Sequence, residues 1–231
     1  MTTLNRPPRP TFNRKLAILA LVAATVPLLS GCFGVAAVGI GAGALMASDR
    51  RVSEIYVGDE ATETRGGNRI SEKYGDTVHV NLTSYNRTVL ITGEAPNEAA
   101  KADIEKIVAA LPNAKATVNE LVVAGPSALS ARTNDTYITS KVKARFVDYS
   151  KFPAHVVKVV TEGGTVYLMG LVTQMEADAA VDIARTTGGV QRVVRVFEVI
   201  SDAEARRLDN RPPASDTSPP AKNAEAKPTG K

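Results

Sequence analysis

The sequence predicts an α+β protein built from two tandem copies of one small unit, each in the order α-β-β-α-β. Three observations carry this. Residues 80–93, VNLTSYNRTVLITG, align with residues 157–170, VKVVTEGGTVYLMG, at a constant offset of 77. Within each segment apolar residues alternate around a turn, the period of a β-hairpin. After each segment comes a stretch with helical spacing and then a closing apolar strand, so about 65–70 residues repeat as a unit.

In the first copy, residues 59–74 are read as a helix weakened by Gly66-Gly67, at about 1 kcal/mol per glycine. Val80, Leu82, Val89 and Ile91 alternate around a turn at Ser84-Tyr85-Asn86-Arg87. Pro96-Asn97 then lead into EAAKADIEKIVAAL, where Ile104, Ile107, Val108 and Leu111 share a face. ATVNELVV closes the copy. In the second, DTYITSKVKARFV is a helix capped by Asn134 or Asp135, with Ile138, Val142 and Phe146 on one stripe. Glu162-Gly163-Gly164 supplies positive φ for the hairpin turn. MEADAAVDIARTT is the next helix, ended by Gly188-Gly189, and RVVRVFEVI is the last strand. The expected organisation is a signal at 1–31, a Gly/Ala-rich linker at 32–57, and a first copy at 58–124. A linker at 125–132, a second copy at 133–201 and a disordered tail at 202–231 follow. The tail is rich in Pro, Ala, Lys and Asp without an apolar period.

The N-terminus reads as an address. Arg6, Arg9, Arg14 and Lys15 precede an uncharged apolar run at 16–29, followed by Ser30, Gly31 and Cys32, the order of a secretory signal. Leu29-Ser30-Gly31-Cys32 resembles the lipobox of bacterial lipoproteins, which implies a lipidated Cys32, the one cysteine of the chain. In lipoprotein sorting an Asp after the cysteine marks inner-membrane retention. Phe33 stands there, implying the outer membrane, facing the periplasm. The competing reading is a spanning helix of about 20 residues cut from the uncharged stretch to residue 48.

Charge and composition exclude several classes. The chain has 231 residues and a net charge of +4, all of it held by residues 1–31. The basic balance therefore argues for no nucleic-acid partner, and 5% aromatics with no Trp supply no stacking surface. A single cysteine excludes an internal disulfide framework and a cysteine zinc cluster. His79 alternates with Val78 and Val80 and is expected on an exposed strand face, and His155 opens a strand beside Pro153. No metal site, cofactor, small-molecule substrate or catalytic set is therefore expected, and the chain is read as no enzyme. An envelope hydrolase would need a convergent polar cleft that the sequence does not advertise.

The TVxLxG signature, the following Glu-Ala helix and the V-x-x-[LF]-x-V strand together resemble the BON domain. Two such copies behind a lipobox resemble the dual-BON-domain outer-membrane lipoproteins of Gram-negative bacteria, the DolP type. This implies a small three-stranded mixed sheet on two helices in each copy, a phospholipid-binding role for the second copy, and support of outer-membrane integrity, with localisation to division sites.

The residues bear on that expectation. The first copy carries seven basic and ten acidic residues, the second eight and seven. The second copy's cations gather on its first helix, where Tyr137, Lys141 and Arg145 form a row at i, i+4 and i+8, with Lys143 nearby. An aromatic ring with cations suits the headgroup layer of an anionic membrane. Tyr137, Lys141, Lys143 and Arg145 are the candidate phospholipid-binding residues. Gly93 and Gly170 occupy the same repeat position and are read as fold-critical, where no Cβ is tolerated. A protein adaptor is the alternative, with the acidic first copy docking a periplasmic enzyme regulator or the outer-membrane protein assembly machinery.

Overall fold

The computed structural model describes residues 49–211. The signal segment, Cys32 and the tail beyond residue 211 lie outside the described residues. The first copy comprises α1 (Ser53–Tyr74), β1 (His79–Tyr85), β2 (Thr88–Ala95), α2 (Glu98–Ala109), β3 (Ala116–Asn119) and β4 (Val122–Val123). The second comprises α3 (Leu129–Asp148), β5 (Lys158–Glu162), β6 (Thr165–Val172), α4 (Gln174–Arg185) and β7 (Arg192–Val199), and α5 (Asp202–Asp209) follows. In each sheet the first two strands pair antiparallel and the last pairs parallel with the middle one. In the first copy that last strand is broken into β3 and β4 around buried Leu121.

The two hairpins share one device. Tyr85 pairs with Thr88 and Glu162 with Thr165, so each turn has two residues. Both residues sit at positive φ: Asn86 and Arg87 at 50° and 69°, Gly163 and Gly164 at 54° and 72°. That is the backbone of a type I′ turn, which matches strand twist. A buried Asp of the preceding helix holds each turn. Asp135 accepts from the amides of Gly163 and Gly164, both at 2.9 Å. Asp59 accepts from the amides of Asn86 (2.8 Å) and Arg87 (2.9 Å) and from Ser84 Oγ (2.7 Å). These bonds hold the two L-residues of the first turn in a conformation that costs such residues about 1–2 kcal/mol each.

The structure departs from expectation at five points. Asp135 does not cap its helix: α3 starts earlier, at Leu129 with Ala128 as N-cap, so the linker expected at 125–132 is shorter. Gly66-Gly67 does not interrupt α1, which is continuous over 22 residues. A Cβ at Gly66 would lie 2.4 Å from Leu82 Cδ1, so the glycine lets the helix lie close on β1. The segment 32–57 is not all linker, since α1 begins at Ser53 and Arg50 and Arg51 are buried. The tail is not disordered from residue 202, because α5 forms there, capped by Ser201 and burying Ala205 and Leu208.

Each sheet has two buried faces. Val89, Ile91 and Ala95 pack on Ile70, Ile104, Val108 and Leu111 of their own helices. Val166, Leu168 and Val172 do the same with Ile138, Val142, Phe146 and Ala180. The alternate residues meet across the seam between copies: Tyr85 and Leu90 pack with Tyr167, Met169 and Leu171, and Leu208 of α5 joins them. Six side chains buried at about 1.5–3 kcal/mol each make this seam a third core, smaller than the nine-residue and fourteen-residue cores of the copies themselves.

Gly93 and Gly170 sit where β2 and β6 pass close to the chain entering β1 and β5. A Cβ on Gly93, at φ 109°, would lie 2.0 Å from the carbonyl oxygen of His79. One on Gly170 would lie 2.4 Å from that of Val156. Backbone cannot yield as a side chain can. Substituting Ala at Gly93 is expected to cost about 3 kcal/mol or more, combining overpacking with a disfavoured φ. Thermal unfolding of Gly93→Ala and Gly170→Ala, compared with Gly67→Ala on the open side of α1, measures this. Equal midpoints for the three would refute the close-approach account.

Candidate functional site

Helix α3 turns Asp135, Ile138, Val142 and Phe146 inward, and its opposite side is exposed. Tyr137 is 62% exposed, and Lys141 Nζ lies 4.6 Å from its ring centroid, a cation–π contact. Lys141 also donates to the Gly188 carbonyl at the end of α4. Arg145 takes a different part. It is half-buried, and its Nη1 donates to Ile183 O and Thr187 Oγ1, both at 2.7 Å. A cation on the last carbonyls of α4 suits that helix's negative end and fixes α3 against it. Lys143 is exposed, but at 100° per residue it lies on the other flank of the core stripe from Tyr137 and Lys141. The structure thus brings Tyr137 and Lys141 together, sets Lys143 apart, and places Arg145 in the packing.

Sequence reading passed over two apolar residues on this face. Leu129 is 78% exposed and Val147 72%. They are eighteen residues apart, about five helical turns, so they stand on one line down the outside of α3. Their apolar character at positions outside the core stripe was the available signal. Among the described residues no helix is long and apolar enough to cross a membrane.

A second arrangement, also unforeseen, lies where the chain enters the first copy. The side chain of Arg50 is 1% exposed. All five of its N–H groups find an acceptor: Glu176 on both carboxylate oxygens (2.7 and 2.8 Å), Asp209 on both (2.7 and 2.9 Å), and Leu171 O (2.8 Å). Glu176 also closes a capping box with Thr173 at the start of α4. Arg51 turns the other way, pairing with Asp49 and with Asp59 (2.9 Å), its guanidinium 4.1 Å from the Tyr85 ring centroid. The two adjacent arginines thus tie the entering chain to the second copy and the first.

His79 is not the exposed residue expected. Its side chain is 15% exposed, Nδ1 lies 2.9 Å from Glu94 Oε2, and Glu162 of the other copy stands 3.9 Å away. His155 lies exposed in a short 3-10 turn at Ala154–Val156.

Residues 59–125 and 134–201 each match the BON domain, so this is a protein of two BON domains. Over 192 residues it is 35% identical to the outer membrane lipoprotein DolP of Haemophilus influenzae, covering 81% of this chain and 96% of that one. Over 154 residues it is 29% identical to a 21 kDa hemolysin of Actinobacillus pleuropneumoniae, covering 66% and 79%. The chain belongs to the dual-BON-domain outer-membrane lipoproteins of the DolP type. CdsD, a structural protein of the type III secretion system of Chlamydia trachomatis, overlays 65% of this chain and 98% of its own with a TM-score of 0.26 at 13% identity, too slight an overlap to bear on the arrangement of the copies.

Burial opposes ionisation of Glu176, but hydrogen bonds from Arg50 and the Thr173 amide outweigh it and hold the carboxyl below its usual value. A depressed carboxyl contributes stability that is present above its unfolded pKa and is lost as pH falls through the folded one. Arg50→Ala leaves two carboxylates without their cation and is expected to cost about 3 kcal/mol near neutral pH. The gap in melting temperature between the parent chain and Arg50→Ala should narrow below about pH 4. A gap that stays constant down to about pH 3 would show that the latch acts through packing alone.

Proposed function

We propose that this chain is a non-enzymatic, lipid-anchored protein of the periplasmic face of the outer membrane. Its second BON domain lays the outer face of α3 on anionic phospholipid, and this contact supports outer-membrane integrity. The observation that carries the reading is the Tyr137–Lys141 pair, an exposed ring with a half-buried cation on it, beside the line of Leu129 and Val147. The ring and the apolar residues suit the acyl boundary, while Lys141 and Lys143 meet phosphate from either flank. Each such cation contributes about 1 kcal/mol near an anionic surface. Arg145 supports this face by fixing α3 to α4. Cys32 would carry the acyl chains.

Flotation of the full chain with phosphatidylglycerol or phosphatidylcholine vesicles tests the face. Preference for the anionic vesicles is expected, with at least a tenfold loss in Tyr137→Glu/Lys141→Glu, the loss of two favourable contacts and the gain of two repulsive ones. Equal binding to both vesicles, or an unaffected double variant, would remove lipid recognition by α3. Labelling with palmitate, abolished in Cys32→Ala, tests the anchor separately. Label that persists without the thiol would exclude lipidation at Cys32.

The second reading, a protein adaptor, has its own observation. Val57, Val122 and Val123 are exposed on the acidic first copy. Cross-linking that captures one dominant envelope protein, unchanged by the Tyr137 and Lys141 substitutions, would favour it.

A further inference from the structure

The seam between the copies carries a polar cluster that neither membrane contact nor packing uses. His79 comes from β1, Glu94 from β2 and Glu162 from the end of β5 in the other copy. One ligand atom from each lies within 4.8 Å of the other two. The three side chains are only 10–15% exposed. Neither carboxylate has a Lys or Arg within ion-pair distance among the described residues, so two half-buried acids share one imidazole, with the Ser127 amide donating to Glu94 Oε2 at 3.1 Å. Burial holds the Glu162 carboxyl above its usual range, opposed by Asn81 and His79 and reinforced by Glu94 and Asp135. Oε1 of Glu162 stands 3.9 Å from His79 Nδ1, beyond hydrogen-bond length, while Oε2 accepts from Asn81 Nδ2 at 2.8 Å. Beside the cluster opens a cavity of about 250 Å³, lined by His79, Asn81, Glu162, Arg132, Asp135 and threonines.

We infer that His79, Glu94 and Glu162 form a binding site for a divalent transition cation of the zinc class, bridging the two BON domains. One imidazole nitrogen with two carboxylates is a donor set such cations take, with water from the cavity in the fourth position. Magnesium and calcium, which favour all-oxygen shells, fit it poorly. Nδ1 points between the carboxylates: Glu94 is an acceptor, so Nδ1 carries the imidazole proton in the metal-free state. On metal binding that proton moves to Nε2, the Asn81 amide, whose Nδ2 now faces Nε2 at 3.3 Å, turns its oxygen inward to accept it, and Nδ1 donates its lone pair to the metal. The two negative charges then balance the cation. Because the ligands come from both copies, the metal adds a bond across the seam.

Isothermal titration of the full chain in detergent with zinc chloride, in a non-chelating buffer at neutral pH, tests this. One zinc per chain is expected, with a raised melting temperature and no response to magnesium. Cobalt in place of zinc should give the visible absorption of a low-coordinate site. His79→Gln and Glu162→Gln should each bind at least about tenfold more weakly, since loss of a direct ligand should cost no less than loss of an outer-shell partner. Their metal-free circular dichroism and melting shows whether they are folded, and Glu94→Gln replaces either that is not. Absence of a stoichiometric site, or folded variants that bind zinc like the parent, would overturn the assignment.

Discussion

The apolar seam between the two sheets is the constraint from which the rest of this structure follows. A three-stranded sheet covered by two helices on one side still has another side. Here Leu90, Tyr167, Met169 and Leu171 make that side apolar, so each copy completes its burial on the other. Once the sheets are face to face, the helices must point outward on opposite sides, and α3 is presented to the surroundings. Helix α5 adds Leu208 to the same seam, and Arg50 reaches across to Glu176 and Asp209. The residues that surround the apolar contact are polar and paired, including Arg192 with Glu120 and Lys158 with Glu63.

The duplication is preserved in its mechanics more than in its residues. In both copies a buried Asp of the first helix grips a two-residue turn at positive φ. The second copy achieves that turn with two glycines. The first uses Asn86 and Arg87, adds a bond from Ser84, and brings in Arg51 behind Asp59. The more strained turn thus has the larger set of restraints, and those restraints reach into the entering chain. The copies also diverge in what they hold: the first takes Arg51 of the entering chain behind its turn, the second takes Arg50 on Glu176 and leaves the outer side of α3 exposed.

Much of the fold was legible because periodicity reports burial against a chain's own neighbours. The hairpins, the helices and the glycines at 93 and 170 all came from spacing within one copy. What escaped depended on contacts distant in sequence. Nothing local marks Arg50 as buried, since its acceptors lie more than a hundred residues away. Asp135 looked like a cap because capping is the commonest local use of an Asp at a helix start, yet its partners are 28 and 29 residues on. His79 looked exposed because alternation gives a face without saying what covers it. One signal was present and could have been used. The consecutive apolar residues Val89-Leu90-Ile91, and those from Val166 to Val172 broken only by Gly170, mark strands buried on both faces and so forecast a seam. The candidate site was partly legible: spacing put Tyr137 and Lys141 in one row, while only the neighbouring end of α4 shows that Arg145 belongs to the packing.

The latch at Arg50 and Arg51 also sets the length of a leash. For a chain acylated at Cys32, as proposed, the leash to Arg50 is eighteen peptide steps, at most about 60 Å. A body held within that radius of a bilayer meets it at an effective concentration on the order of millimolar. On the proposed reading, a face that gains only about 1 kcal/mol per cation would scarcely hold a membrane from free solution, yet at that concentration it would spend a substantial part of its time engaged. Lengthening the leash by undoing the latch would dilute the face without altering one of its residues.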